Sequence, residues 1–332
     1  MHATGGRRGG LGLALVSACA FGGSGVAAKP LIEAGFDPLQ VVWMRVAGAA
    51  LILLPLALRD RTLPRARPGL LLGFGVLGVA GCQGLYFVAI SRIPVGVAIL
   101  VEYLGPAMLL GWVRFVQRRP VSRAAVIGVV LAVAGMACVV EIWSGLAFDA
   151  VGLLCAFGAA CCQVSYFVLA DRGAGRDGAP DPVAVIGYGF LIGAALLTVF
   201  ARPWEIGFSA LAHRAALGDR DIPAALLLGW IVLVATVLAY LSGVIAIRRL
   251  SPQIAGVVAC IEAVVGTVLA WFLLDEHLGA AQLVGGALVL AGAFTAQAAR
   301  KSAGDPPPGA ITATAAEHTE GAVPRTAVRT EG

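Results

Sequence analysis

Two glutamates and one arginine stand where water is scarce. Glu102 lies in the middle of the apolar run 94–116, Glu262 in the middle of 253–274, and Arg45 within 39–58. An acidic side chain at the centre of a membrane-spanning helix costs about 2.5–3.5 kcal/mol on insertion scales, so something must offset each one. A desolvated carboxylate favours its neutral form, which lets it take up and release a proton near neutral pH as access to it alternates. A guanidinium can hold a substrate carboxylate through two parallel hydrogen bonds. The plainer account is permanent partnering: each glutamate satisfied by an arginine or a backbone amide, and Arg45 a structural ion-pair member or a side chain snorkelling to an interface.

Other polar groups share these runs without an obvious need to be in lipid: Gln83 and Tyr86, Gln163 and Tyr166, and Tyr240 with Ser242. They either line a cavity or cross-link helices by hydrogen bonds. Lys29 precedes Pro30 and reads as a snorkelling side chain, as does Arg114. The seven cysteines all lie in apolar runs with no C-x-x-C pair, so they read as small buried hydrophobes, and neither a metal nor a cofactor is expected. The histidines are His2, His213, His277 and His318, none inside a run, and there is no H-E-x-x-H, P-loop or G-x-S-x-G motif. A membrane-embedded enzyme is therefore disfavoured.

The elements that must position these groups are helices in a bilayer. Hydrophobic residues make up 59% of the 332 and charged residues only 13%, about half the share of a soluble chain. The apolar runs are continuous, at 10–28, 39–58, 69–91, 94–116, 124–141, 151–170, 183–200, 223–245, 253–274 and 280–298. Each is long enough for a transmembrane helix, and none shows the alternation of a barrel strand. The expected fold is thus all-α and integral to the membrane, with ten transmembrane helices. The first run follows Arg7 and Arg8, but nine more spans come after it, so it is read as a retained helix and not a signal peptide. With the N-terminus in the cytoplasm, 17 of the 24 Lys and Arg residues fall in inner connections or tails and five in outer ones. That asymmetry places both termini in the cytoplasm of a multi-pass protein of the cell membrane. The basic residues form no stripe or arm, so the +5 net charge does not point to nucleic acid. Residues 201–222 carry Trp204, Phe208 and Leu211 and suit a short interfacial helix. Residues 303–332, with the run Asp305-Pro306-Pro307-Pro308-Gly309, lack periodicity and read as a disordered tail.

An offset of 157 residues aligns the chain with itself: Ala89-Ile90 on Ala246-Ile247, Arg92 on Arg249, Gly128 on Gly285, and Ala134-Gly135 on Ala291-Gly292. The implied organisation is a cytoplasmic N-terminal segment 1–9, a five-helix repeat 10–141, a second five-helix repeat 151–298, and a cytoplasmic tail 299–332. Five is odd, so the second repeat enters from the opposite face, and the fold becomes two inverted repeats of the kind that build secondary transporters. In this register Glu102 falls on position 259, about one turn before Glu262, so both carboxylates can face one cavity. No ATP-binding motif is present, so transport would be secondary, with a small-molecule substrate and the lipid bilayer as partners. The run Gly189-x-x-x-Gly193 permits close helix packing and leaves a homodimer open.

These stretches resemble the EamA-type drug/metabolite transporter family across residues 11–298. The resemblance is carried by Ala27-Ala28-Lys29, Phe36-Asp37-Pro38, Trp43-Met44-Arg45, the segment from Ala246 to Pro252, Cys260-Ile261-Glu262-Ala263 and Leu274-Asp275-Glu276-His277-Leu278. The family usually has proline where this chain has Ala263; in the run 94–116 the proline is present, as Gly105-Pro106, and the resemblance implies a helix break at Gly105 and Pro106. A narrower likeness, over Pro94 to Pro106 and Arg118-Arg119-Pro120-Val121, is to the threonine/homoserine exporter branch. The resemblance implies a central cavity and efflux of a small polar metabolite, an amino acid or related compound, driven in many members by proton entry. An importer or facilitator of another metabolite is the alternative within the family.

Overall fold

The structure, a computed structural model, describes residues 3–118, 121–141, 148–173, 180–249 and 252–302. The tail 303–332, expected to be disordered, lies outside the described residues. The chain is mostly helical. Its main helices are α1 (Ala3–Glu33), α2 (Pro38–Ala57), α3 (Pro68–Ile90), α4 (Val95–Val116), α5 (Arg123–Val140), α6 (Ala150–Gly173), α7 (Pro182–Ala201), α8 (224–249), α9 (Pro252–Leu274) and α10 (Ala280–Ser302). Among the described residues, seven contain stretches long and apolar enough to cross a membrane: α1 to α5, α7 and α8. The described apolar parts of α6, α9 and α10 are shorter.

Local chemistry sets the helix starts. Asp37 caps α2 by accepting from the amide of Leu39 at 2.8 Å, with Pro38 in the first turn. Asp181 caps α7 through Val183 at 3.4 Å, followed by Pro182. This is one device used twice, since a carboxylate satisfies an orphan amide and proline is preorganised for the first helical position. The two caps are 144 residues apart, whereas the later offset is 157, and the longer connection 202–223 absorbs the difference.

That connection is not the expected interfacial helix. It forms two 3₁₀ turns, Pro203–Glu205 and Phe208–Ala212, then a hairpin of β1 (Arg214–Leu217) and β2 (Arg220–Pro223). Gly218 opens its turn at a φ of +58°, a conformation that favours glycine. The hairpin packs on α1, with Ala215 buried, and Gly218 abuts the backbone of Leu273 at the end of α9.

Packing follows a pairwise pattern. α2 lies on α7, α5 on α10, and α4 on α9. α1 packs on α8 and α9, and correspondingly α6 packs on α3 and α4. Each contact recurs when helices five apart are exchanged. α5 and α10 touch backbone to backbone, so a Cβ on Gly292 would lie 2.5 Å from the carbonyl of Gly128. Gly189 and Gly193 instead receive Phe74 and Val79 of α3, so the face they form is filled within the chain. The Trp43 indole donates to Thr198 across the α2–α7 contact at 2.8 Å.

Among the described residues, three helices depart from regular α geometry. α3 is π-helical over Phe74–Gly81, α4 over Trp112–Val116 and α8 over Leu233–Leu238. The first and last coincide at the 157-residue offset. α4 also breaks: its helix ends at Glu102, turns through Tyr103 and Leu104, and restarts at Gly105 with Pro106 in its first turn. Pro106 has no N–H to give the carbonyl of Glu102. By contrast α9, with Ala263 in place of a proline, is unbroken.

Candidate functional site

The buried arginine is the centre of the site. Arg45 of α2 is 2% exposed and its guanidinium is met by neutral groups. Nε donates to the Thr236 hydroxyl at 2.7 Å, Nη1 to the Gln83 side-chain carbonyl at 2.8 Å, and Nη2 to the Ala235 backbone carbonyl at 3.4 Å. The Phe87 ring lies under it, 5.5 Å from the guanidinium carbon. Snorkelling is excluded by that burial, and no carboxylate lies within ion-pair distance among the described residues.

Glu102 sits at the broken end of the first half of α4, partly buried. Its Oε1 accepts from Gln163 of α6 at 3.2 Å and from the Cys82 thiol of α3 at 3.4 Å. Gly105 admits this arrangement, for a Cβ there would come 2.9 Å from the Gln163 carbonyl oxygen. Glu262 of α9 is partly buried, and its charge and those of Glu102 and Arg45 act on one another. The two acids therefore reach one polar centre from different halves of the chain.

Tyrosines complete it. Tyr240 is wedged edge-on between Phe21 and Phe190, with centroids at 4.8 and 5.1 Å, and its hydroxyl lies within electrostatic reach of Arg45. Tyr86 points its hydroxyl at Gly25 of α1, where a Cβ would come within 2.5 Å. Tyr166 meets Phe74, at the start of the π-helical stretch of α3, with ring centroids 4.7 Å apart and the planes tilted by 42°. Ser242 turns back to the carbonyls of Leu238 and Ala239 on its own helix, so it serves α8 and not the centre. Ser24 of α1 keeps a buried hydroxyl with no partner among the described residues.

Two readings of the sequence change. Lys29 does not snorkel: its Nζ lies 2.6 Å from Glu276 Oε1, and Glu276 also accepts from the amides of Val95 at 3.0 Å and Gly96 at 3.4 Å, capping α4. A cation and two orphan amides satisfy this carboxylate, which explains its position in a short connection. The cysteines are not uniformly buried spectators either, since Cys19 is exposed and Cys82 touches Glu102. Thr236 and Cys82 were missed as site residues. Thr236 lies in an apolar run two residues from Leu238, and a lone threonine in a helix carries no cost signal because its hydroxyl can bond its own backbone.

Comparison with known proteins gives one consistent picture. The EamA-like transporter family model matches residues 8–141 and again 150–296. The threonine/homoserine exporter RhtA of Escherichia coli K12 is 31% identical over 233 residues, covering 70% of this chain and 72% of the exporter. That of Salmonella typhimurium LT2 is 31% identical over 209 residues, covering 63% of this chain and 64% of its own length. A solved crystal structure superposes with a TM-score of 0.56 at 21% identity, over 89% of this chain and 99% of the other, which speaks to the fold.

Proposed function

We propose, starting from the fact that this chain belongs to the EamA-like transporter family, that it exports an amino acid or closely related polar metabolite across the cell membrane in exchange for protons. It is a multi-pass membrane transporter and not an enzyme. The exporters it is similar to act on threonine and homoserine, which ranks those two first as substrates. The proposed frame is ten transmembrane helices in two inverted five-helix repeats, with both termini cytoplasmic. Pairwise recurrence of the helix contacts supports that frame.

One observation carries the mechanism: a buried guanidinium held by neutral groups, with two carboxylates in electrostatic reach and none bonded to it among the described residues. An amino acid presents a carboxylate for Arg45 and an ammonium for Glu102 or Glu262. Empty, a centre with one cation and two anions carries a charge of minus one, which is costly away from water, and a proton on one glutamate removes it. The substrate ammonium and that proton compete for the same carboxylate: substrate bound from the cytoplasm releases the proton there, and a proton bound from outside releases the substrate there, which couples export to proton entry.

The test is flux in proteoliposomes loaded with labelled threonine, homoserine and a panel of other amino acids, with and without an imposed pH gradient. Export of at least one amino acid, accelerated when protons can flow inward, is expected. Flux confined to uptake would favour an importer, and no movement of any amino acid would defeat the substrate class.

A further inference from the structure

The manner in which Arg45 is held fixes how it can bind an anion. Guanidinium carries five N–H donors, and Nε and Nη2 share one edge of the plane. That edge is met by successive residues of α8, with Thr236 Oγ1 on Nε and the Ala235 carbonyl on Nη2. Gln83 takes one donor of Nη1. What remains free of these bonds is one N–H on each terminal nitrogen.

The π-helical stretch Leu233–Leu238 accounts for this presentation. Thr236 is fully buried, and its hydroxyl donates to the carbonyl of Ile231 at 2.8 Å, five residues back. In a regular α-helix a threonine hydroxyl reaches three or four residues back, so the wider turn sets this one. With its hydrogen committed to Ile231, the oxygen turns a lone pair outward, and Arg45 Nε–H lies on it. The geometry points to Thr236 as a positioning residue that locks the guanidinium along its Nε edge, so that a substrate carboxylate is taken through the terminal nitrogens alone. This inference rests on Arg45 being the carboxylate clamp of the proposed export reaction.

Position 236 discriminates this role from packing. Thr236→Val keeps the shape and removes the hydroxyl, whereas Thr236→Ser keeps the hydroxyl and removes a methyl. A packing role makes serine the worse replacement, and a positioning role makes valine the worse. Export of labelled threonine from proteoliposomes should show a KM raised about tenfold or more in Thr236→Val, the loss expected for a hydrogen bond to a charged group, with kcat changed less. Thr236→Ser should retain most of the export. On an Arg45→Lys background, which has no Nε–H to position, Thr236→Val should add little further loss. Should Thr236→Val not assemble, Thr236→Ala removes the same oxygen and is compared with serine in its place.

Valine or alanine matching wild-type KM, serine as impaired as either, or fully additive loss with Arg45→Lys would overturn the assignment. Wild-type export by Arg45→Lys, or no export of any amino acid by the wild-type protein, would defeat the parent reading and this one with it; if the wild-type protein exports another amino acid and not threonine, that amino acid is the labelled substrate for the series. An impaired Arg45→Lys beside an unimpaired Thr236→Val defeats the positioning role alone.

Discussion

At the scale of single residues, what can be read from the sequence is what is costly. Glu102, Glu262 and Arg45 stand out because each charge in an apolar run demands compensation, and the structure sets Arg45 among Gln83, Thr236 and Tyr240, Glu102 on Gln163, and Glu262 within electrostatic reach of both charges. Thr236 and Cys82 carry no such cost and stay hidden until neighbouring helices are in place. The same logic separates a working carboxylate from a fixed one. Glu276 has a lysine and two amides on it, whereas Glu102 has a thiol and a side-chain amide and Glu262 has no hydrogen-bond partner among the described residues. Glu102→Gln and Glu262→Gln should therefore assemble with normal melting temperatures and lose the acceleration of export by a pH gradient, while exchange without a gradient survives. Flux and thermal stability measured on the same preparations check this. A variant with normal stability and normal gradient-driven flux removes its residue from coupling, and a collapse of stability marks it as structural.

At the scale of elements, helices are legible because continuous apolar runs are what a bilayer requires, and the predicted runs lie within a few residues of the observed ones. The π-helical stretches are not legible, since an i to i+5 register follows from which partner groups a helix meets and leaves no mark in composition. The hairpin 214–223 was missed because its strands are four residues each and its signal reduces to Gly218-Asp219. Small residues are abundant everywhere, so the sequence alone does not tell a packing glycine from an idle one. The structure does: Gly12 has nothing within 4 Å of a built Cβ, whereas at Gly292 that atom would meet the Ala132 amide nitrogen and the Gly128 carbonyl at 2.5 Å. Gly12→Ala should be neutral or stabilising by up to about 1 kcal/mol, through helix propensity. Gly292→Ala should destabilise by about 1–3 kcal/mol, because α5 and α10 must separate. Thermal unfolding in detergent measures both, and equal effects of one sign would show that the α5–α10 contact is loose.

At the scale of the whole molecule, charge and contact can be set against each other. With ten helices crossing in turn, as proposed, the connections after α1, α3, α5, α7 and α9 share one face, and the positive-inside count makes it the outer one. In the structure those connections meet. Lys29 near the end of α1 pairs with Glu276 between α9 and α10, and Glu276 reaches Val95 at the start of α4. Arg92 between α3 and α4 lies 3.6 Å from Asp149 just before α6. The hairpin between α7 and α8 rests on α1 and on the end of α9. At the opposite end the Tyr188 hydroxyl of α7 donates to the Asp60 carbonyl after α2. These contacts join connections of one group to one another, as the proposed alternation of helices requires, and the arginine-rich group should be cytoplasmic. On a cysteine-free background, Ser209→Cys in the long connection before the hairpin and Thr62→Cys in the connection after α2 are both exposed reporters. A membrane-impermeant maleimide added to intact cells should label position 209 at once and position 62 only after permeabilisation. Labelling in the reverse order would invert the orientation and, with it, the side from which Arg45 and the two glutamates are loaded. Labelling of both positions in intact cells would break the alternation of helices on which the inverted repeat depends.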